Sequence, residues 1–230
     1  MQEYIIIFIT LFILTMILKF IFGYNLKKIK NISENPELDK IADKYPNNID
    51  ICKAYLKKLN NETVKIEENE GANNCLYIAI TNKILIANMR NSYTRIQTIA
   101  HECLHSVQDR KLLIFNFIYS NIYMLYFLVI SGLALFKLLP YKLAFIAILI
   151  FMGLIYYMVR MYLENDAMIK ARFLAKEYME ESKIVSDQEN RKIIDGFDEI
   201  NKLGIKCINY NIFYNIAMQV MLFTLICFVR

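Results

Sequence analysis

Five consecutive residues, His101-Glu102-Cys103-Leu104-His105, concentrate the reactive groups of this chain of 230 residues. On a helix the two histidines sit four apart on one face, where both imidazoles can reach a single metal ion. Glu102 then lies about 100° round the same helix, near enough to act as catalytic base toward a water molecule. The chain contains only two histidines, and both fall inside this His-Glu-x-x-His pattern. Chance placement yields that spacing, with Glu after the first histidine, on the order of once in a thousand chains or less. Ile96, Ile99, Ala100, Cys103 and Val107 gather on the opposite side, which predicts an amphipathic helix starting near Asn91 or Ser92.

A catalytic zinc ion takes three protein ligands and keeps a fourth position open. No third histidine exists, and the five cysteines (Cys52, Cys75, Cys103, Cys207 and Cys227) form no CxxC pair. Their irregular gaps argue against a thiolate site or a disulfide framework and suit a reducing compartment. The remaining ligand is therefore expected to be a downstream carboxylate, with Glu164 the best placed. Asp166 is a candidate to accept a hydrogen bond from the far nitrogen of a ligating imidazole, and Asp109, one turn past His105, is its rival. A hydrolytic site also needs a donor for developing negative charge. Tyr162, Arg160 and Arg172 are the candidates, and the sequence does not choose among them.

The elements that must position these groups are dominated by apolar runs. Hydrophobic residues make up 57% of the chain and the mean hydropathy is +0.31, too apolar for an ordinary soluble domain. Four segments approach the roughly 20 residues that cross a bilayer, at about Tyr4–Phe22, Leu112–Phe136, Tyr141–Met158 and Ile208–Val229. The first lacks a basic n-region and a small-residue cleavage site, and reads as a retained anchor. The second and third form a hairpin through Lys137-Leu138-Leu139-Pro140. That hairpin returns the chain to the side it left, so Glu164 and His105 share a compartment. With continuous helices, each stands about 10 Å beyond the membrane.

Lys27, Lys28 and Lys30, Arg110 and Lys111, and Arg160 flank the spans on one side, against Lys137, Lys142 and Arg230 on the other. This bias puts both polar loops in the cytoplasm. The net charge of +5 is explained by these flanks, so the lipid bilayer is the expected partner and nucleic acid is not.

The expected organisation is a membrane anchor at 1–22, an α+β domain at 23–111 ending in the histidine helix, and a transmembrane hairpin at 112–158. A helical segment at 159–207 carries the third ligand, and a last span occupies 208–230. Within the polar loop, Asn35-Pro36 opens a short helix that ends before Pro46. A second helix runs from about Asn48 to Leu59, with Ile49, Cys52, Leu56 and Leu59 on one face. Three strand-like runs follow at Thr63–Ile66, Leu76–Ile80 and Ile84–Ala87, the last two joined by the hairpin signal Thr81-Asn82-Lys83. The Ile84–Ala87 run is a candidate edge strand for binding extended peptide. Ala167, Ala171 and Ala175 recur every four residues, a small-residue stripe for close helix packing. Asn211, Asn215 and Gln219 are expected to face inward in the final span, where amides would otherwise meet lipid.

At Ala100-His101-Glu102-x-x-His105-x-x-Gln108 and Glu164-x-Asp166-Ala167 the chain resembles the YugP-like zinc metallopeptidases of bacterial membranes. The order of elements is similar too: anchor, small mixed domain, histidine helix, transmembrane hairpin, Glu-x-Asp-Ala segment and last anchor. The resemblance implies a membrane protein, mainly α, with four transmembrane helices and a small α+β juxtamembrane zincin-like domain. It implies Zn2+ held by His101, His105 and Glu164, Glu102 as base, and protein or peptide substrates cut near the membrane. The chain departs from the family at Leu104, where glycine is usual, and at Asn73-Asn74-Cys75-Leu76-Tyr77, where an Asp-His-Tyr-Asp stretch is usual. The competing expectation is a zinc-stabilised membrane scaffold or adaptor without hydrolytic activity.

Overall fold

The computed structural model describes residues 1–69, 75–87 and 92–230. The expected helix start at Asn91 and the departure at Asn73 and Asn74 lie outside them. The described chain is mainly helical: α1 (Gln2–Ile21), α2 (Leu26–Ser33), α3 (Pro36–Ala42), α4 (Asn48–Lys58), α5 (Arg95–His105), α6 (Arg110–Leu135), α7 (Lys142–Ser182) and α8 (Asp187–Val229). Three strands, β1 (Lys65–Asn69), β2 (Leu76–Ile78) and β3 (Lys83–Ala87), form one small sheet. Helices α1, α6, α7 and α8 are each long and apolar enough to cross a membrane.

Two compact units divide the chain. One comprises Met1–Tyr24, Phe115–Tyr162 and Lys206–Arg230, and the other Asn25–Ile114 and Leu163–Ile205. The boundaries expected at 158 and 207 fall inside α7 and α8, because a change in hydropathy does not interrupt backbone hydrogen bonding. Most of the helical segment at 159–207 therefore shares one unit with the α+β region.

In the first unit, Tyr123, Ile130 and Ala134 of α6, Ile146 and Leu149 of α7, and Val220 and Phe223 of α8 form a buried core. Gly153 makes that packing possible: a Cβ there would come within 2.6 Å of Ile216 and 3.2 Å of the Tyr123 hydroxyl. The amide stripe expected to face inward does not do so throughout, since Asn215 is exposed. The inward face of α8 runs instead through Asn209, Ile216, Val220 and Phe223.

The second unit is built up from capped short helices. Asn35 caps α3 by accepting from Glu37 N and Leu38 N, with Pro36 at the first helical position. Asn47 caps α4 by accepting from Asp50 N. The inward face of α4 carries Ile51 and Tyr55 beside Cys52 and Leu56, while Ile49 is only half-buried. Arg95 fastens the start of α5 to the α3–α4 corner. Its guanidinium donates to Ala42 O at the end of α3, to Tyr45 O and Pro46 O in the connection that follows, and to Asn48 Oδ1 at the start of α4.

The sheet corrects one expectation. Its order is β1-β3-β2, with β1 parallel and β2 antiparallel to β3. The expected hairpin is present, with Asn82 at φ +49° in its turn. Ile84–Ala87, however, is the central strand, paired on both sides, so it cannot accept a further strand. Its side chains explain the placement: Ile84, Ile86 and Ala87 are all fully buried.

Candidate metal centre

The histidine helix is buried on nearly all sides, because its apolar stripe enters the core of the second unit. Ile96, Ile99, Ala100 and Cys103 share that core with Ile51, Tyr55, Ile84 and Ile86, and with Ala167, Ala171 and Ala175 of α7. Cys103 Sγ lies 3.6 Å from Cys52 Sγ, a thiol contact between α5 and α4. All five cysteines are buried, and burial pushes the Cys75 thiol up to about 11, which suits a small hydrophobe rather than a ligand. Val107, expected on the stripe, lies beyond the end of α5 and is exposed.

With α5 fixed in this way, His101, His105 and Glu164 converge. Nε2 of His105 lies 3.0 Å from Nε2 of His101. Glu164 Oε2 lies 3.3 Å from His101 Nε2 and 3.8 Å from His105 Nε2. Two ligands on a tetrahedral cation with bonds of about 2.0–2.1 Å are separated by about 3.3–3.4 Å. The three observed spacings straddle that value, so these residues could hold a metal ion. The imidazole rings stand nearly perpendicular, at 85°. The side chains of His105 and Glu164 are 9% and 8% exposed and that of His101 is 16%, which makes the His101 side the more open one.

The surroundings favour a cation. Burial works against charge on His105, but Glu164 and Glu102 more than offset it, raising its pKa above the usual imidazole value in the metal-free protein. A proton there stands in for positive charge that a metal would supply. Glu102 is 7% exposed, and burial raises its pKa, with the neighbouring histidines pulling the other way. Its Oε2 accepts a hydrogen bond of 2.7 Å from Tyr77 N in β2.

The secondary contacts differ from those expected. Asp109 starts α6, with Oδ1 accepting from Lys111 N, so it is not the partner of His105. That partner is Gln108, whose Oε1 lies 2.8 Å from His105 Nδ1. Asp166 contributes one step further out, accepting from Gln108 Nε2 at 2.9 Å and pairing with Lys170. Arg172 is committed to Asp198, with Nη2 donating to Oδ2 at 2.6 Å and Nε paired with Oδ1, which removes it as an oxyanion donor. Tyr162 and Arg160 belong to the other unit. Gln97, one turn before His101 and also buried, donates to Asn201 Oδ1. Gln97 stands in no motif, and Gln108 closes the Ala100-His101-Glu102-x-x-His105-x-x-Gln108 motif with no role attached to it. Gln108 carried a signal all the same, as an amide three residues from a ligand.

Compared with protein-family models, with curated proteins and with solved structures, the chain matches none.

Proposed function

We propose that this chain is a membrane-embedded zinc metallopeptidase of the YugP-like kind, cutting protein or peptide substrates near the membrane surface. The observation that carries the reading is the convergence of His101 Nε2, His105 Nε2 and Glu164 Oε2, with Glu102 next to His101 on the same helix. Two nitrogens and one carboxylate oxygen are a ligand set suited to Zn2+ with an open fourth position. When bound there, zinc would supply Lewis acidity and a water acidified toward neutral pH.

The protein's own groups do the rest. His105, with Nδ1 bonded to Gln108, presents Nε2 to the site. Glu102, whose pKa burial raises, takes a proton from the attacking water and returns it to the leaving amine. The buried walls of α5 exclude bulk water and strengthen each electrostatic contact. The excess of lysines and arginines beside the membrane-length helices supports a site on the cytoplasmic side in this reading.

A zinc-stabilised scaffold is the second reading, and one contact favours it. Glu102 Oε2 holds Tyr77 N, which is a structural use of the carboxylate. Incubating the purified full-length protein with a fluorogenic peptide library, beside its Glu102→Gln form, separates the two. The peptidase reading expects cleavage by the native protein alone. Equal signals from both forms would defeat it.

A further inference from the structure

Gln108 lies in the turn that closes α5, its N–H bonded to His105 O. All three hydrogen-bonding functions of its amide group are engaged. Oε1 lies 2.8 Å from His105 Nδ1, and Nε2 lies 2.9 Å from Leu163 O and 2.9 Å from Asp166 Oδ2. The orientation of this amide follows from its partners. A backbone carbonyl only accepts, and so does an ionised carboxylate, so the NH2 group must face α7 and Oε1 must face the imidazole.

The consequence reaches the ligands. With Oε1 accepting, His105 carries its proton on Nδ1 and leaves the Nε2 lone pair facing His101 and Glu164. The two α7 groups gripped by Nε2, Leu163 O and Asp166 Oδ2, come from residues on either side of Glu164 in sequence. One side chain thus touches both strands of the problem: the tautomer of one ligand and the placement of the helix segment bearing another. We propose that Gln108 is a positioning residue that sets metal affinity by locking His105 in its ligating tautomer while clamping the Leu163–Asp166 segment that presents Glu164. This inference rests on the metal-site reading above.

Affinity for Zn2+, measured on the full-length protein against a competing chelator, tests it. Gln108→Leu should weaken binding by about 10–100-fold, the range typical of lost outer-sphere partners. Gln108→Glu keeps an acceptor for His105 but sets a carboxylate against Leu163 O and Asp166, and should also bind more weakly. Adding Asp166→Asn to Gln108→Glu restores the donor–acceptor match at residue 166 with the polarity reversed, while Leu163 O stays without its donor, and should recover part of that loss. A role in packing alone would predict no such recovery. Asp166→Leu, which leaves Gln108 in place, should cost severalfold in affinity and stands in if Gln108→Leu fails to fold. The absorption spectrum of the Co2+ form should shift with the same variants.

Binding by Gln108→Leu within about twofold of the native protein would overturn the proposal, against the range expected. So would a double variant no tighter than Gln108→Glu. A native protein that takes up no Zn2+ would end both this inference and the metal reading. One that binds Zn2+ with the predicted variant pattern but cleaves nothing would uphold the clamp and end only the peptidase reading.

Discussion

Glu164 Oε2 and His101 Nε2 stand 3.3 Å apart, with all of α6 and half of α7 between them in the chain. Without metal, the contact pairs an imidazole with a buried carboxylate. With a metal bound, both groups would serve as its ligands, and the carboxylate would supply the negative charge that two neutral imidazoles lack. Glu164→Gln should therefore lower Zn2+ affinity by more than the about 10–100-fold that outer-sphere losses cost. Chelator competition on the full-length protein reads this directly. Native affinity in the variant would remove Glu164 from the ligand set.

Glu102→Gln isolates the base. The amide oxygen can still accept from Tyr77 N, so β2 keeps its tie to α5. Hydrolysis should fall by about 10²–10⁴-fold while zinc content is unchanged. Peptide cleavage and metal analysis on the same preparation check both halves. Retained turnover would place the proton transfer elsewhere.

The metal-free and metal-loaded proteins should respond to pH with opposite signs. Burial opposes charge on His105, but Glu164 and Glu102 prevail and raise its pKa above 6.5. Burial raises Glu102 above 4.5. A group whose pKa is higher in the folded state stabilises the fold while protonated. That contribution is complete below the unfolded values and is lost as pH rises through the folded ones. The loaded form needs deprotonated ligands and loses its metal, with the stability it brings, as pH falls. Thermal unfolding of the two forms between about pH 5 and 8 should slope in opposite directions. Parallel slopes would contradict a metal at these residues.

The alanine stripe of α7 leaves no room for larger side chains, since Ala167, Ala171 and Ala175 are 0%, 1% and 0% exposed. Ala171→Leu should cost about 1–3 kcal/mol through overpacking. Denaturant unfolding measures it. An unchanged midpoint would show that this helix face has slack.

Much of this was legible in local pattern. Four apolar runs of membrane length, the Asn35-Pro36 helix start and the Thr81-Asn82-Lys83 hairpin signal each depend on neighbours within a few residues, and each appears in the structure. The expectation for Glu164 rests on the lack of a third histidine or suitable cysteine, with the hairpin's return to its side as support, and local propensity contains neither constraint. The centre of the sheet was not legible. Nothing near Ile84 announces that β1, separated from it by β2 in sequence, will pair on its free side. Asp109 misled because its spacing from His105 suits a helix, whereas the helix ends at His105 and Asp109 caps the next one. Arg172 was free on paper because Asp198, its partner, lies on a different helix.

Zinc binding to the purified full-length protein, with X-ray absorption at the metal edge, tests the centre most directly. The arrangement of His101, His105 and Glu164 predicts one zinc per chain with nitrogen and oxygen neighbours at about 2.0–2.1 Å and no sulfur. It also predicts loss of that ion in His101→Ala, His105→Ala and Glu164→Ala alike. A zinc that persists through all three substitutions, or that has sulfur neighbours, would contradict the centre described here.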